Sequence, residues 1–246
     1  MFILTRNQLS ASFGVGLGCW LLASLAVHAQ SGLTLSAPVI YSKVKAVNNW
    51  SPPTAISRQN RFEGTSTGYG LNLDYAFRPA FIIKNPRIRL NVGAGYFAQR
   101  FDMRRPFDYV SPFKPIYYTD NYTYHCWQWS AGVTYNYPLN ENYFLSGNLS
   151  YTWLHSFQQE YAPTNGHARQ TNRKPIDFGN MLMLAIGINR NLGARFAFGL
   201  NAVIPLYTRW RNDRIFKDDP AKFSHSGFGL GLSAGVTYRL KKNTNP

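Results

Sequence analysis

The stretch that decides the fold is HCWQWSAGVTYNY, residues 125–137. From Trp127 to Tyr137 every second residue is apolar or aromatic, and the alternate positions carry Gln, Ser, Gly, Thr and Asn. Successive side chains of a β-strand point to opposite faces, so this period of two predicts a strand with one apolar face and one face of small polar groups.

The same period recurs along the chain. It is found in STGYGLNLDYAFR (66–78), RIRLNVGAGYF (87–97) and YFLSGNLSYTWLHSF (143–157), and at roughly 180–190, 195–207 and 227–240. A further strand is predicted near residues 32–44, with Leu33, Leu35, Val39 and Tyr41 as its apolar face, although Pro38 removes one ladder donor. Together these segments predict eight strands.

The connections between the strands alternate in length. Long loops are expected at about 45–65, 100–122, 159–177 and 208–226, and short turns at 84–86, 138–142 and 191–193. Short turns at one end, longer loops at the other and an even strand count are typical of outer-membrane barrels. We therefore predict an all-β, up-and-down antiparallel transmembrane barrel over residues 30–246, with periplasmic termini and extracellular loops. A ten-strand alternative needs two more strands from 45–65 or 100–122, where alternation is not clean.

The composition of the less apolar face of the strands distinguishes a membrane barrel from a soluble barrel. A soluble barrel turns its apolar face inward and shows charged side chains to water. Here the less apolar face carries mainly Gly, Ser, Asn, Thr and Gln, with Asp74 and Arg89 as exceptions on consecutive strands. We interpret it as the packed interior of a narrow barrel, which is too filled for an open porin, and the apolar face as the lipid contact.

The aromatic residues are sorted by height, as membrane interfaces require. One girdle is predicted near the periplasmic rim and the other near the outer rim. The girdle residues are Tyr75, Phe77, Tyr135, Tyr137, Tyr143 and Tyr238 for the first, and Trp127, Trp129, Tyr151 and Trp153 for the second.

The first 29 residues have the layout of a secretory signal. Arg6 precedes an apolar run over 11–27, and a small-residue cleavage site follows before Gln30. The alternative is a membrane anchor helix, for which the apolar run is short. Removal of 1–29 would leave one cysteine, Cys126, which cannot form an internal disulfide and is interpreted as a small lumen filler.

The chain is strongly basic, with 26 Lys and Arg against 11 Asp and Glu. An exported protein meets little nucleic acid, so lipid headgroups and lipopolysaccharide phosphates are the expected anionic neighbours. The loop residues predicted to contact these groups or an external partner are Arg100, Arg104, Arg105, Lys114, Arg209, Arg211 and Arg214.

Catalytic, cofactor and metal sites are not predicted. His155-Ser156 with Glu160, or Ser224-His225-Ser226, could be imagined as the Ser-His pair of a lipid-modifying hydrolase. However, His155 and Ser156 are adjacent in a strand and should point to opposite faces. His125 and His155 are expected on the outer face above the tryptophans. No cysteine–histidine set has metal-ligand spacing.

The whole pattern resembles the small eight-stranded outer-membrane barrels of the OmpA/OmpX type, and the Tyr- and Asn-rich strands resemble the Bacteroidetes versions. The last strand, GLGLSAGVTYRL (229–240), is similar to a barrel-assembly signal, with Gly235, Tyr238 and Leu240 in matching places and Ala234 departing from it. The resemblance implies an outer-membrane location, contact with the barrel-assembly machinery and a structural or binding role. A lipid A-modifying enzyme and an accessory barrel of a secretion or assembly machine are the alternatives.

Overall fold

The computed structural model describes residues 31–48, 60–79, 82–107, 116–163, 170–173, 177–212 and 223–240. The secondary structure of these residues consists of strands joined by turns. The strands are β1 (Gly32–Asn48), β2 (Asn60–Phe77), β3 (Ile88–Phe107), β4 (Ile116–Pro138), β5 (Tyr143–Pro163), β6 (Gln170–Asn172), β7 (Asp177–Leu192), β8 (Phe196–Asn212) and β9 (Phe223–Arg239).

Eight of these strands form one closed antiparallel barrel. In chain order β1, β2, β3, β4, β5, β7, β8 and β9 each pair with the next, and β9 pairs with β1 to close the ring. The short β6 pairs with the far end of β5, from Gln159 to Tyr161. The predicted eight-stranded up-and-down barrel is confirmed.

The strand around Pro38 is also confirmed. β1 pairs with β9 without interruption from Gly32 to Asn48, so Pro38 lies opposite Ser233. On the other side, the β1–β2 register omits pairs at Ala37 and Pro38. The proline therefore lies at an interruption of the β1–β2 ladder, as its missing N–H would require.

Most residues assigned to long loops belong to strands, which corrects the sequence interpretation. β3 and β4 remain paired out to Phe107 and Ile116, so most of 100–122 is a β-hairpin. β1, β2, β5, β8 and β9 likewise extend into the segments expected to be loops. The ten-strand alternative is wrong, because the described parts of 45–65 and 100–122 lengthen strands that were already counted.

The expected short turns lie together at one end of the barrel, which we call the turn end; the opposite end is the loop end. Asn140 Oδ1 accepts the backbone N–H groups of Asn142 and Tyr143, both at 2.9 Å, and so shapes the β4–β5 turn. In the β7–β8 turn Gly193 has a φ of 80°, a conformation that costs glycine little. A side-chain hydrogen bond in one turn and a glycine conformation in the other thus determine these two connections.

Candidate functional site

Over the middle and the turn end of the barrel the outer wall is apolar and exposed, and the inner wall is lined by small polar groups. On every barrel strand except β3, large hydrophobic side chains stand more than two-fifths exposed; Leu232 on β9, for example, is 62% exposed. On the inner face, Asn72, Asn91, Gln128 and Ser130 are buried. The predicted faces of these strands are therefore the observed ones.

The predicted girdle residues lie on the outer wall, with one difference. Trp127, Trp129, Trp153, Tyr135 and Tyr137 are all exposed. Tyr75, Tyr143, Tyr151 and Tyr238 are half-buried. Phe77 is only 4% exposed, because it lies at the very end of β2, where its ring stacks on Tyr75 with centroids 5.6 Å apart.

Arginines surround the tyrosines of the turn end, a feature that sequence reasoning missed. Arg87 donates Nη1 to the Tyr135 hydroxyl at 3.5 Å, and its guanidinium carbon lies 5.3 Å from the Tyr137 ring centroid. The hydrogen bond to Tyr135 raises the pKa of Arg87, which remains charged. Arg195 donates to Tyr238 at 3.2 Å. Cations and rings at one height would suit a phosphate-bearing interface.

Arg190 completes this group, since its guanidinium carbon lies 5.8 Å from the Tyr143 ring centroid.

The basic residues predicted for the loops are only partly described. Arg100 lies on β3 and donates Nε to Asp102 at 3.1 Å, and Arg209 on β8 is exposed. The strands place Arg104, Arg105 and Arg211 near the loop end, but their side chains lie outside the described part. Lys114 and Arg214 lie outside the described residues altogether.

Inside the barrel, an aromatic cluster that we call the plug fills the loop-end half. The plug comprises Phe97, Phe101, Tyr122, Tyr124, Leu154 and Trp210, all buried. Phe101 meets Tyr124 and Trp210 edge to face, each with centroids 5.7 Å apart. These rings therefore pack against one another as side chains do in the hydrophobic core of a soluble protein.

Buried polar groups hold the rings of the plug in place. Trp210 Nε1 donates to Gln99 Oε1 at 2.8 Å, and Gln99 Nε2 donates to Ser66 at 3.2 Å. Gln159 donates to the Tyr124 hydroxyl at 3.2 Å. Trp210 also lies flat against Gly179, where an added Cβ would come within 3.0 Å of the ring. The plug is thus both packed and hydrogen-bonded.

The turn-end half of the lumen holds a cavity of about 500 Å³. Phe97, Met181 and Val203 lie at its plug side, and Arg239 and Asn191 lie near the turn end. Asparagine, serine and threonine side chains form most of the remaining wall; they include Asn72, Asn91, Ser130, Thr134, Ser146, Asn148, Asn189 and Asn201.

The wall of this cavity is organised as small hydrogen-bonded groups. Asn148 donates to Thr134 at 2.9 Å, and Thr134 donates to Asn91 at 3.2 Å. Asn72 and Ser130 donate to Asp74 at 2.6 and 3.2 Å. Asp74 and Arg89, the two charged exceptions on this face, form no ion pair within the described residues; Asp74 lies opposite Gly93 on β3, four residues along from Arg89.

His155 and Ser156, one of the two pairs considered for catalysis, lie on opposite faces of β5, as their adjacency in a strand predicted. Ser156 is buried on the inner face and His155 is exposed on the outer one. Glu160 instead lies 3.7 Å from His125 Nε2, and His125 Nδ1 lies 2.6 Å from the Tyr96 hydroxyl. The side chains of residues 224–226 lie outside the described part.

A β-bulge between β4 and β5 accounts for the contact of Glu160 with His125 on the outer face. The β4–β5 register shifts between His125 and Cys126, which leaves Phe157 without a partner in the ladder. Its ring packs against Trp127 and Tyr96, with centroids 5.1 and 6.3 Å apart. Because Phe157 is an extra residue in β5, the Glu160 side chain is directed toward His125.

Among the described residues, none belongs to a helix that is long and apolar enough to cross a membrane. The same residues contain no group of three or more His, Cys, Asp or Glu side chains placed to hold a metal ion. Cys126 is fully buried, on the inner face that was predicted for it.

Comparison with solved structures identifies the fold. No protein-family model matches the sequence, and no curated protein matches it. The outer membrane protein OprG from Pseudomonas aeruginosa aligns with a TM-score of 0.50 at 10% identity, covering 87% of this chain and 97% of OprG. The chain folds as an outer-membrane-type β-barrel. The suggested likeness to Bacteroidetes barrels stays a prediction.

Two other solved barrels are similar over comparable lengths. The outer membrane protease OmpT from Escherichia coli aligns with a TM-score of 0.45 at 12% identity, covering 86% of this chain and 97% of OmpT. Neisserial surface protein A aligns with a TM-score of 0.38 at 12% identity, covering 85% of this chain and 97% of that protein.

Sequence reasoning missed the plug residues. They lie where the apolar side chains of the barrel strands change from the outer face to the inner face. Below Tyr96 on β3 the apolar residues face outward, but beyond it Phe97 and Phe101 face inward and Arg100 faces outward. β4 inverts likewise, with Tyr124 inward. The inversion itself was the available signal, because in a barrel that spans a bilayer such an inversion marks where a strand passes from lipid into water.

Proposed function

We propose that this chain is an integral outer-membrane β-barrel that displays a basic and aromatic binding surface at its loop end. One observation supports this most: the exposed outer wall is apolar over the middle of the barrel, while polar groups are enclosed. Soluble monomers rarely leave a continuous apolar surface in water, whereas a bilayer requires one.

The location and orientation belong to the same proposal. Residues 1–29, which lie outside the described residues, would direct export and be removed, leaving 30–246 as the barrel domain. The turn end and both termini would face the periplasm, and the loop end the exterior. The final strand would be recognised by the barrel-assembly machinery, as the likeness at Tyr238 and Leu240 suggests.

The proposed role is binding and not passage of solutes. The plug fills the loop-end half of the lumen with buried rings such as Phe101 and Trp210, which opposes an open pore. Arg100 and Arg209 on the outer wall near the loop end would pair with lipopolysaccharide phosphates or an acidic external partner. A lipid-modifying enzyme is less well supported, because His155 and Ser156 lie on opposite faces.

The experiment that tests the proposal places arginine at two heights, one within β9 and one just after its end. Leu232 is near mid-barrel and Leu240 is at the turn-end rim, and both are exposed. In lipid, Leu232→Arg should destabilise folding by about 2–4 kcal/mol and Leu240→Arg by about 0–1 kcal/mol. Reversible unfolding in phospholipid bilayers with a denaturant would measure both.

A protein whose wall faces water would tolerate both arginines equally. Equal stability of the two variants, or a folded monomer that stays soluble without detergent or lipid, would therefore contradict the proposal. Alanine at His155, His225 and Ser226, followed by analysis of lipid A, separates the enzymatic alternative: an altered lipid A would support it.

A further inference from the structure

The charges around the lumen cavity do not balance. Among the described residues, the charged ones that line it are Asp74 and the three arginines Arg87, Arg89 and Arg239. The guanidinium of Arg87 contacts Tyr135 and Tyr137 on the outer wall. Asp74 is held by hydrogen bonds from neutral side chains. Two arginines therefore remain on the cavity wall without a carboxylate to neutralise them.

Arg89 is the central residue of this imbalance. It lies on the inner face of β3, and its Nε atom is buried with no hydrogen-bond partner among the described residues. Arg78 and Arg239 lie near enough to repel it electrostatically. In the part of the chain that the structure describes, no carboxylate lies within ion-pair distance of these three arginines.

The Nε atom of Arg89 is thus a buried donor without an acceptor, and proteins normally pair such groups. Arginine cannot lose its charge to escape the cost of an unpaired donor. The cavity beside Arg89 is large enough for a small solute, and its amide and hydroxyl wall supplies further hydrogen bonds. A small anion held in the cavity would supply both the missing acceptor and the opposite charge, whereas water would supply the acceptor alone.

We propose that the turn-end half of the lumen is a binding site for a small oxyanion of the phosphate class. Arg89 would present its planar N–H groups to the anion's oxygens, the geometry in which arginine binds phosphate best. Arg239 would contribute a second positive charge, oriented by its hydrogen bond to Asn191 at 2.6 Å. The site does not depend on which side of the membrane the turn end faces.

The test uses the purified full-length protein in micelles of a non-ionic detergent that contains no phosphate. Inorganic phosphate is titrated by calorimetry and compared with chloride at equal ionic strength and pH. We expect wild-type protein to bind phosphate and to melt at a higher temperature in its presence. Arg89→Gln should weaken phosphate binding about tenfold or more, since it removes charged hydrogen bonds.

Two further variants make the test specific. Arg239→Gln should weaken binding by a smaller factor. Arg190→Gln is the matched control, because Arg190 lies on the outer wall over the Tyr143 ring, and its phosphate affinity should equal that of wild type. In phosphate-free buffer Arg89→Gln should melt at or above the wild-type temperature, because it removes an uncompensated charge.

The source of the phosphate group is resolved by a second arm with phosphatidylglycerol added to the micelles. A stabilisation by this lipid that Arg89→Gln abolishes, without a response to inorganic phosphate, would support the oxyanion site with a lipid headgroup as its occupant. The proposal is overturned if neither phosphate source affects the wild type beyond chloride, or if Arg89→Gln responds as strongly as Arg190→Gln.

Discussion

The two halves of the lumen are built from the same strands but are filled in different ways. In the loop-end half, Phe101, Tyr124 and Trp210 pack ring against ring. In the turn-end half, short amides and hydroxyls such as Asn148 and Thr134 bond to one another around a cavity of about 500 Å³. The size of the inner-face residues therefore decides whether this ring of strands is solid or hollow.

The difference predicts where the stability of the barrel resides. A hydrogen bond or ring contact shielded from water cannot be replaced when it is lost, so changes in the plug should be costly. A polar cavity can admit water that replaces a deleted side chain, so changes in its wall should be mild. The plug would then serve stability and closure, and the cavity would be free to bind.

The largest effect is expected for Trp210→Ala. The ring is 2% exposed, lies against Gly179 and donates to Gln99, so its removal leaves a large void and an unpaired amide. We expect a loss of about 3–5 kcal/mol in the free energy of unfolding, measured by denaturant titration in bilayers. Trp129→Ala, which removes an exposed ring of the outer wall, should cost clearly less. Similar losses for the two variants would show that the plug is not a packed core.

An intermediate effect is expected for Gln99→Leu. Leucine has nearly the volume of glutamine, so the change tests hydrogen bonding and not packing. It leaves the Trp210 N–H and the Ser66 hydroxyl without their partner inside the plug. We expect a loss of about 1–3 kcal/mol by the same denaturant titration. A loss near zero would mean that water reaches the plug, which would remove the contrast between the two halves.

How much of this could be predicted from the sequence differs along each strand. Between the girdles, alternation in stretches such as 125–137 predicted the strands and the side of the sheet that each residue faces. Beyond Tyr96 the apolar residues change sides, and a reader who expects apolar residues outside sees only lost alternation. The residues 100–107 were consequently assigned to a loop, although they continue β3.

The cavity was less accessible to sequence reasoning than the strands. Its existence depends on which inner-face residues meet across the ring, and the strand register sets that meeting. Asp74 and Arg89 were noted as unusual charges on the inner face of consecutive strands, which left their relative position open. The register places Asp74 opposite Gly93, and the described structure contains no ion pair between the two. A bulge such as the one at Phe157 is equally invisible to a period of two.

The smallest effect is expected for Asn148→Ala in the cavity wall. Asn148 donates to Thr134 at 2.9 Å, and Thr134 in turn donates to Asn91. Because the cavity is polar and has room for water, a water molecule can take the place of the deleted amide and restore the bond to Thr134. We expect a loss of about 0.5–1 kcal/mol, within the range of a replaceable hydrogen bond and below that of Gln99→Leu under the same conditions. If Asn148→Ala costs as much as Gln99→Leu, the turn-end half behaves as a dry interior, and its polar wall is a structural network and not a hydrated binding chamber.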